Sequence, residues 1–283
     1  SGDPEGLRIV EKANWIGQGL AFPRPLLGEV RKRVELQRTG VYVLWGPSDK
    51  SQLPRVYIGE GNPVLPRLEQ HARYKNFWTH AIVFASKDQN LNKAHVQYLE
   101  ARLVQLASEA KRAELDNGNL PQPPTLSEAD AADAEAFLRD MLLCLPIMGV
   151  TFFEKASAVP VLGEQVLYLE STRGTITIKA RGFESSGGFI VLTGSEAFKD
   201  EVPSIPKHLQ GLRESLVNAG VLKDEGEIYR LTQSYSFNSP STAAGVLLGR
   251  SVNGLTQWKD KSGRTLKQIR DEQLSTGTIE ETH

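Results

Sequence analysis

One cysteine, Cys144, and five histidines are all that 283 residues offer to soft metal ions. A single thiol forms no intramolecular disulfide and builds no cysteine-based zinc site, and such a count suits a reducing cytoplasm. Nowhere does an apolar run reach the roughly 18 residues needed to cross a bilayer, and Ser1 to Gly6 show no basic head leading into an apolar core. The expectation is therefore no export and no membrane partner. Missing as well are a GxxxxGKS or GxxxxGKT phosphate loop and a GxGxxG fingerprint, so no nucleotide cofactor is expected. There is no internal repeat, no low-complexity tract and no excess of one charge: 33 Lys and Arg stand against 34 Asp and Glu. With 24% charged and 40% hydrophobic residues, the chain has the composition of an ordinary globular protein, long enough for two domains.

Charge becomes informative by segment. Residues 38–120 carry 11 basic against 8 acidic side chains, whereas 121–160 carry 2 against 6. The main boundary falls at Leu120-Pro-Gln-Pro-Pro-Thr-Leu126, where three prolines exclude a helix. Four segments are expected: an N-terminal extension (1–37), a first domain (38–120), a Pro-rich linker with an acidic connector helix (121–160), and a C-terminal α+β domain (161–283). Ser127 reads as the N-cap of the connector, with Glu128 and Asp130 in its first turn and Pro146 ending it.

Within 38–120, Gly40 to Trp45 and Arg55 to Gly59 are short β-branched and aromatic runs joined by a turn-rich segment, which predicts a hairpin. A helix from Pro63 to about Arg73, a strand over 78–85 and a long amphipathic helix from Asn92 to about Glu114 complete the order β-β-α-β-α. Side chains alternate along a strand, so Tyr42 and Tyr57 can emerge on one face of the hairpin. Arg67 and His71 lie four apart on a helix and share a face. Glu100 sits at the margin of the apolar stripe of the long helix, where a carboxylate needs a metal or an ion partner; Lys93 is one candidate partner.

Gly40-Val41-Tyr42, then Tyr57-Ile58-Gly59, Arg67 in a helix, Glu100 in a later helix and Asn117 or Asn119 beyond it resemble the GIY-YIG nuclease superfamily. The resemblance spans 38–120 in the family's order, with Val41 in place of Ile. It implies an α+β module with a small antiparallel or mixed three-stranded sheet flanked by helices. It also implies an endonuclease that hydrolyses DNA phosphodiester bonds with one Mg²⁺ or Mn²⁺ per site. Glu100 would hold the ion as its only carboxylate ligand, since a hard cation takes oxygen donors and keeps several waters. Arg67 would clamp phosphate oxygens. Tyr42, Tyr57 or His71 would accept the proton of the attacking water, a choice the sequence leaves open. Asn117 is the preferred final member, and Lys93 and Asn119 are candidate DNA contacts.

In the second half, Arg250, Lys259, Lys261, Arg264, Lys267 and Arg270 face Asp260 alone within 250–270, with Trp258 among them. Cations with an interleaved aromatic suit phosphate contact and base stacking. Phe237 to Ala244, Gly249 to Leu255 and Trp258-Lys259 are similar to a C-terminal domain of unknown function found fused to bacterial nuclease modules and to restriction-associated adenine methylases. That resemblance implies delivery to DNA, double-stranded in the simplest case. One site per chain cuts one strand, so a homodimer is one route to double-strand cleavage. Two rival readings remain: a catalytically silent DNA-binding or sensing protein, and an accessory factor of a restriction or anti-phage system that docks through the acidic helix.

Overall fold

The computed structural model describes residues 6–88, 90–156, 159–160 and 164–277. Residues 1–5, 89, 157–158, 161–163 and 278–283 of the expected segments lie outside the described residues. The chain is α+β and divides into two compact units, Ser1–Glu154 and Lys155–His283. No helix among the described residues is long and apolar enough to cross a membrane.

The first unit is built on a six-stranded sheet in the order β1-β2-β5-β3-β4-β6. Its strands are β1 (Arg8–Val10), β2 (Gly17–Pro23), β3 (Gly40–Gly46), β4 (Arg55–Gly61), β5 (His80–Ser86) and β6 (Glu114–Leu115). All neighbours are antiparallel except the short pair β4 and β6. The three expected strands, β3 to β5, thus form only part of the sheet. The segment expected as an N-terminal extension supplies β1, β2 and a short helix, α1 (Leu27–Val30). Six successive residues of β2 are buried, so it has no polar face and none of the alternation by which a half-exposed strand is read from sequence.

Pleating sorts the side chains of β3 and β4 onto two faces. Val41, Val43, Val56 and Ile58 join one apolar layer with Val96, Leu99 and Leu103 of α3 (Lys93–Ala110) and Phe137 and Met141 of α4 (Glu128–Cys144). Tyr42 and Leu44 join the other with Val64, with Leu68 of α2 (Leu65–Tyr74), and with Trp78. Asn92 opens α3 by accepting a 3.0 Å bond from the His95 backbone, while His95 Nδ1 accepts from Asn92 N–H. Ser127 opens α4 as expected, accepting from Asp130 N–H at 3.1 Å. This helix is a layer of the first unit rather than a connector. Phe137 packs 5.2 Å from Trp15, and Glu135 accepts from Tyr98 at 2.8 Å and from Arg102 at 2.6 Å. Asp140 pairs with Lys12 and Asp130 with His95, so three of the acids proposed to face a partner already have partners in their own chain.

The second unit holds a four-stranded sheet, β13-β9-β8-β7, and a three-stranded sheet, β10-β12-β11. Here β7 is Leu167–Arg173, β8 Ile176–Ser185, β9 Gly188–Val191, β10 Glu196–Phe198, β11 Leu222–Asp224, β12 Ile228–Leu231 and β13 Tyr235–Phe237. The helices are α5 (Lys207–Asn218), α6 (Pro240–Leu248), α7 (Gly254–Gln257) and α8 (Leu266–Gly277). At the centre lies Arg213, 2% exposed. It donates to Glu201 at 2.7 Å and to the carbonyls of Phe198 and Val246, so its buried charge is fully partnered.

Candidate active site

The register of β3 and β4 sets Tyr42 opposite Gly59 and Leu44 opposite Tyr57. The two tyrosines are therefore diagonal neighbours on one face, their rings 6.3 Å apart. Gly59 makes this possible, because a Cβ at that position would lie 2.4 Å from the Tyr42 hydroxyl oxygen. Above this face runs α2, which brings His71 to both rings. His71 Nε2 and Tyr42 Oη share a 2.8 Å hydrogen bond, and the Tyr57 ring lies 4.7 Å from the imidazole. Arg67 stands one turn earlier, exposed, with a 3.2 Å bond to Gln70.

Burial sets the protonation of these groups. It pushes the Tyr42 phenol far up, assisted by Tyr57 and opposed by the Arg67 charge. Tyr57 is raised for the same first reason. Burial, then the Lys75 and Arg67 charges, lower His71 to about 4, leaving a neutral imidazole at pH 7. Glu100, half-buried on α3, is pushed up to about 7 by burial and by the charge of Glu60, with Lys93 and Arg67 opposing. Electrostatically, then, Glu100 belongs with Tyr42, Tyr57 and Arg67.

Glu60, directly after the Tyr-Ile-Gly run, was not anticipated from sequence. Lys93 ion-pairs with Glu60 and not with Glu100, while Glu60 Oε2 is buried without a hydrogen-bond partner. Glu60, Asn62, Pro63, Pro66, Arg67 and Lys93 line a concavity of about 400 Å³. Its rim carries one guanidinium and one ammonium, which suits a phosphate. Among the described residues no group of three or more His, Cys, Asp or Glu could cage a metal. The donors present suit a hard ion held by one carboxylate, with water and phosphate oxygen completing its shell. Only the Glu60 position in the Tyr-Ile-Gly-Glu run hinted at this second acid.

Asn117 does not join the cluster. Its Oδ1 accepts from Ile58 N–H at 3.0 Å and its Nδ2 donates to Ile58 carbonyl at 2.7 Å, so both polar ends extend the edge of β4 in place of a strand. It pins the strand that carries Tyr57, with one hydrogen bond at each end of its amide. Asn119 is exposed in the turn beyond. Sequence reasoning also missed Lys75 and Asp116. Lys75 lies 4.2 Å over the Tyr57 ring and ion-pairs with Asp116, which Arg55 also holds.

In the second unit, Trp258 is 0% exposed, packed at a tilt against Phe189 with ring centroids 4.5 Å apart, and donates to Pro240 carbonyl at 3.1 Å. It is a core residue and offers no face to a base, which corrects the stacking role expected for it. Arg264 is engaged by Asp260 and Glu272, and Arg270 by Glu184. Arg250, Lys259, Lys261 and Lys267 remain exposed.

The model of a domain of unknown function (DUF4357) matches residues 170–270, all within the second unit. No curated protein and no solved structure matches the chain.

Proposed function

We propose that the first unit is a divalent-metal-dependent DNA endonuclease of the GIY-YIG type, and that the second unit delivers it to DNA. The observation that carries this reading is the hydrogen-bonded pair of Tyr42 and His71, with Tyr57 against the imidazole and Arg67 and Glu100 in electrostatic contact with the phenols.

Arg67, at the rim of the concavity, binds the scissile phosphate through its planar fork and neutralises charge there. Lys93, held by Glu60, adds a second cation for the backbone. Tyr42 is protonated at pH 7, so it takes a proton from the attacking water only while passing its own to His71 Nε2. His71, kept neutral, is the terminal acceptor. Tyr57 walls the pair and orients the water. Glu100 would hold a Mg²⁺ or Mn²⁺ ion, which lowers the pKa of bound water and neutralises charge at phosphate and leaving oxygen. Exposed Arg250, Lys259, Lys261 and Lys267 would supply sequence-independent phosphate contacts.

One observation favours a second reading, a catalytically silent DNA-binding module: Tyr42 is 0% exposed, so a substrate reaches it only if the side chains packed over it move. Plasmid nicking separates the two. With Mg²⁺ or Mn²⁺ the intact chain nicks supercoiled DNA while Glu100→Ala and Arg67→Ala do not; salt-sensitive DNA binding without nicking by the intact chain identifies the silent module.

A further inference from the structure

Across the first sheet the register carries Arg8 to Ala21 on β2 and Ala21 to Ile82 on β5; in the next row it carries Pro23 to His80 and His80 to Trp45 on β3. Arg8 is two residues from Val10 and His80 two from Ile82, and both of those belong to the apolar layer under α3 and α4. Arg8, His80 and Trp45 therefore emerge on that face. Between Arg8 and His80, β2 contributes only Ala21 and Pro23. Two long polar side chains thus flank a low strip, their strands about 10 Å apart across β2. The result is a hollow of about 230 Å³, which Met148, just beyond α4, helps to line. Along β3, Trp45 lies about 13 Å from Val41, the register partner of Glu60, so this hollow is separate from the concavity at Arg67.

We infer that the hollow is a phosphate site, taking either a free phosphate ion or the terminal phosphate of a nucleic-acid strand. Arg8 Nε is buried with no hydrogen-bond partner among the described residues, and no carboxylate is among the residues lining the hollow. A buried guanidinium N–H without an acceptor is costly, and an oxyanion seated beside it supplies one. His80 presents its ring from the opposite side. Its Nδ1 shares a 2.9 Å hydrogen bond with the Thr79 hydroxyl, which leaves Nε2 for a ligand. Trp45 backs that imidazole, the rings 5.5 Å apart and 19° from parallel, and so fixes its plane. A carboxylate spends both oxygens on an arginine fork, whereas a phosphate keeps others for the imidazole. The volume lies below the roughly 300–1,000 Å³ of sites for larger organic ligands, which suits a phosphate group and not a whole nucleotide. The inference does not depend on the nuclease reading.

The test uses the full chain without metal, labelled with ¹⁵N. Its four tryptophans give four indole N–H signals, and Trp45 is assigned by the signal lost in Trp45→Phe. Three probes are titrated at constant ionic strength: inorganic phosphate, a short single-stranded oligonucleotide with a 5′ phosphate, and the same oligonucleotide with a 5′ hydroxyl. Saturable movement of the Trp45 signal with inorganic phosphate assigns the site to the free ion. Movement with the phosphorylated strand alone assigns it to a strand end. In either case Arg8→Gln should weaken binding about tenfold or more, and His80→Gln should weaken it as well. Arg8→Lys, which keeps the charge without the fork, should recover only part of the loss. The indole signals of Trp15, Trp78 and Trp258 report that each variant is folded, and His80→Gln carries the test if Arg8→Gln is not. A Trp45 signal that stays fixed with every probe overturns the inference. So does one that moves equally with the 5′-hydroxyl strand, or binding that is as tight in Arg8→Gln and His80→Gln as in wild type.

Discussion

Replacing Glu100 with Gln should stabilise the protein at alkaline pH while removing the proposed nicking activity. Folding places this carboxyl among apolar residues of α3 and near Glu60, which raises it from its ordinary 4.5 to about 7. The folded chain therefore holds the proton more tightly than the unfolded chain does. Wild-type stability from this group is complete below pH 4.5 and is lost as pH rises through 7. At about 1.4 kcal/mol per tenfold change in proton affinity, the ionised carboxylate costs at most about 3 kcal/mol. Glu100 is only half-buried, and solvent screening reduces this to about 1.5 kcal/mol. Glutamine keeps the shape without the charge. In EDTA, urea unfolding of Glu100→Gln should thus exceed wild type by about 1.5 kcal/mol at pH 8, with the gap shrinking to about a quarter at pH 5. Mn²⁺ should close the gap from the other side by stabilising wild type alone. A gap that does not vary with pH, or one of opposite sign, would refute the placement of Glu100 as a strained, half-buried acid.

Other outcomes are expected from the same coordinates. Gly59→Ala drives a methyl group into the Tyr42 ring; it should cost about 1–3 kcal/mol by overpacking and abolish nicking, as read by thermal melts and plasmid assay. Arg213→Ala strands Glu201 and the buried carbonyls it satisfies and should lower the stability of the second unit by about 3–5 kcal/mol in urea unfolding. Trp258→Ala should likewise cost about 3–5 kcal/mol as a core cavity. By contrast, Lys259→Gln with Lys261→Gln should leave stability unchanged and flatten the salt dependence of DNA affinity by about 2 in log–log slope. Asn117→Asp puts a carboxylate against the Ile58 carbonyl in place of an amide donor; a loss of about 1–3 kcal/mol is expected, with residual nicking at sub-denaturing temperature.

The hairpin was legible because alternation and turn chemistry fix which face Tyr42 and Tyr57 occupy, and helical spacing does the same for Arg67 and His71. Glu100 could be read from its place at the edge of an apolar stripe. What escaped reading depends on contacts distant in sequence. β2 is covered on both faces, so residues 17–23 carried no periodic signal. The partner of Lys93 is Glu60, 33 residues away, rather than the carboxylate one helical face suggested. Asn117 matched a family position, yet its amide serves a strand edge. Trp258 lies among cations in sequence, but Lys259 on its far side is exposed while the indole turns inward onto Phe189. Lys75 and Asp116 are 41 residues apart and carried no motif at all.

The most direct test of the central claim is the product of a single turnover on an end-labelled DNA duplex. With Mn²⁺ or Mg²⁺ present, wild type should yield one nicked strand bearing a 5′ phosphate and a 3′ hydroxyl, and Glu100→Gln should yield none. A wild-type chain that leaves the duplex intact with both ions, or a Glu100→Gln chain that cuts as fast as wild type, would contradict the account.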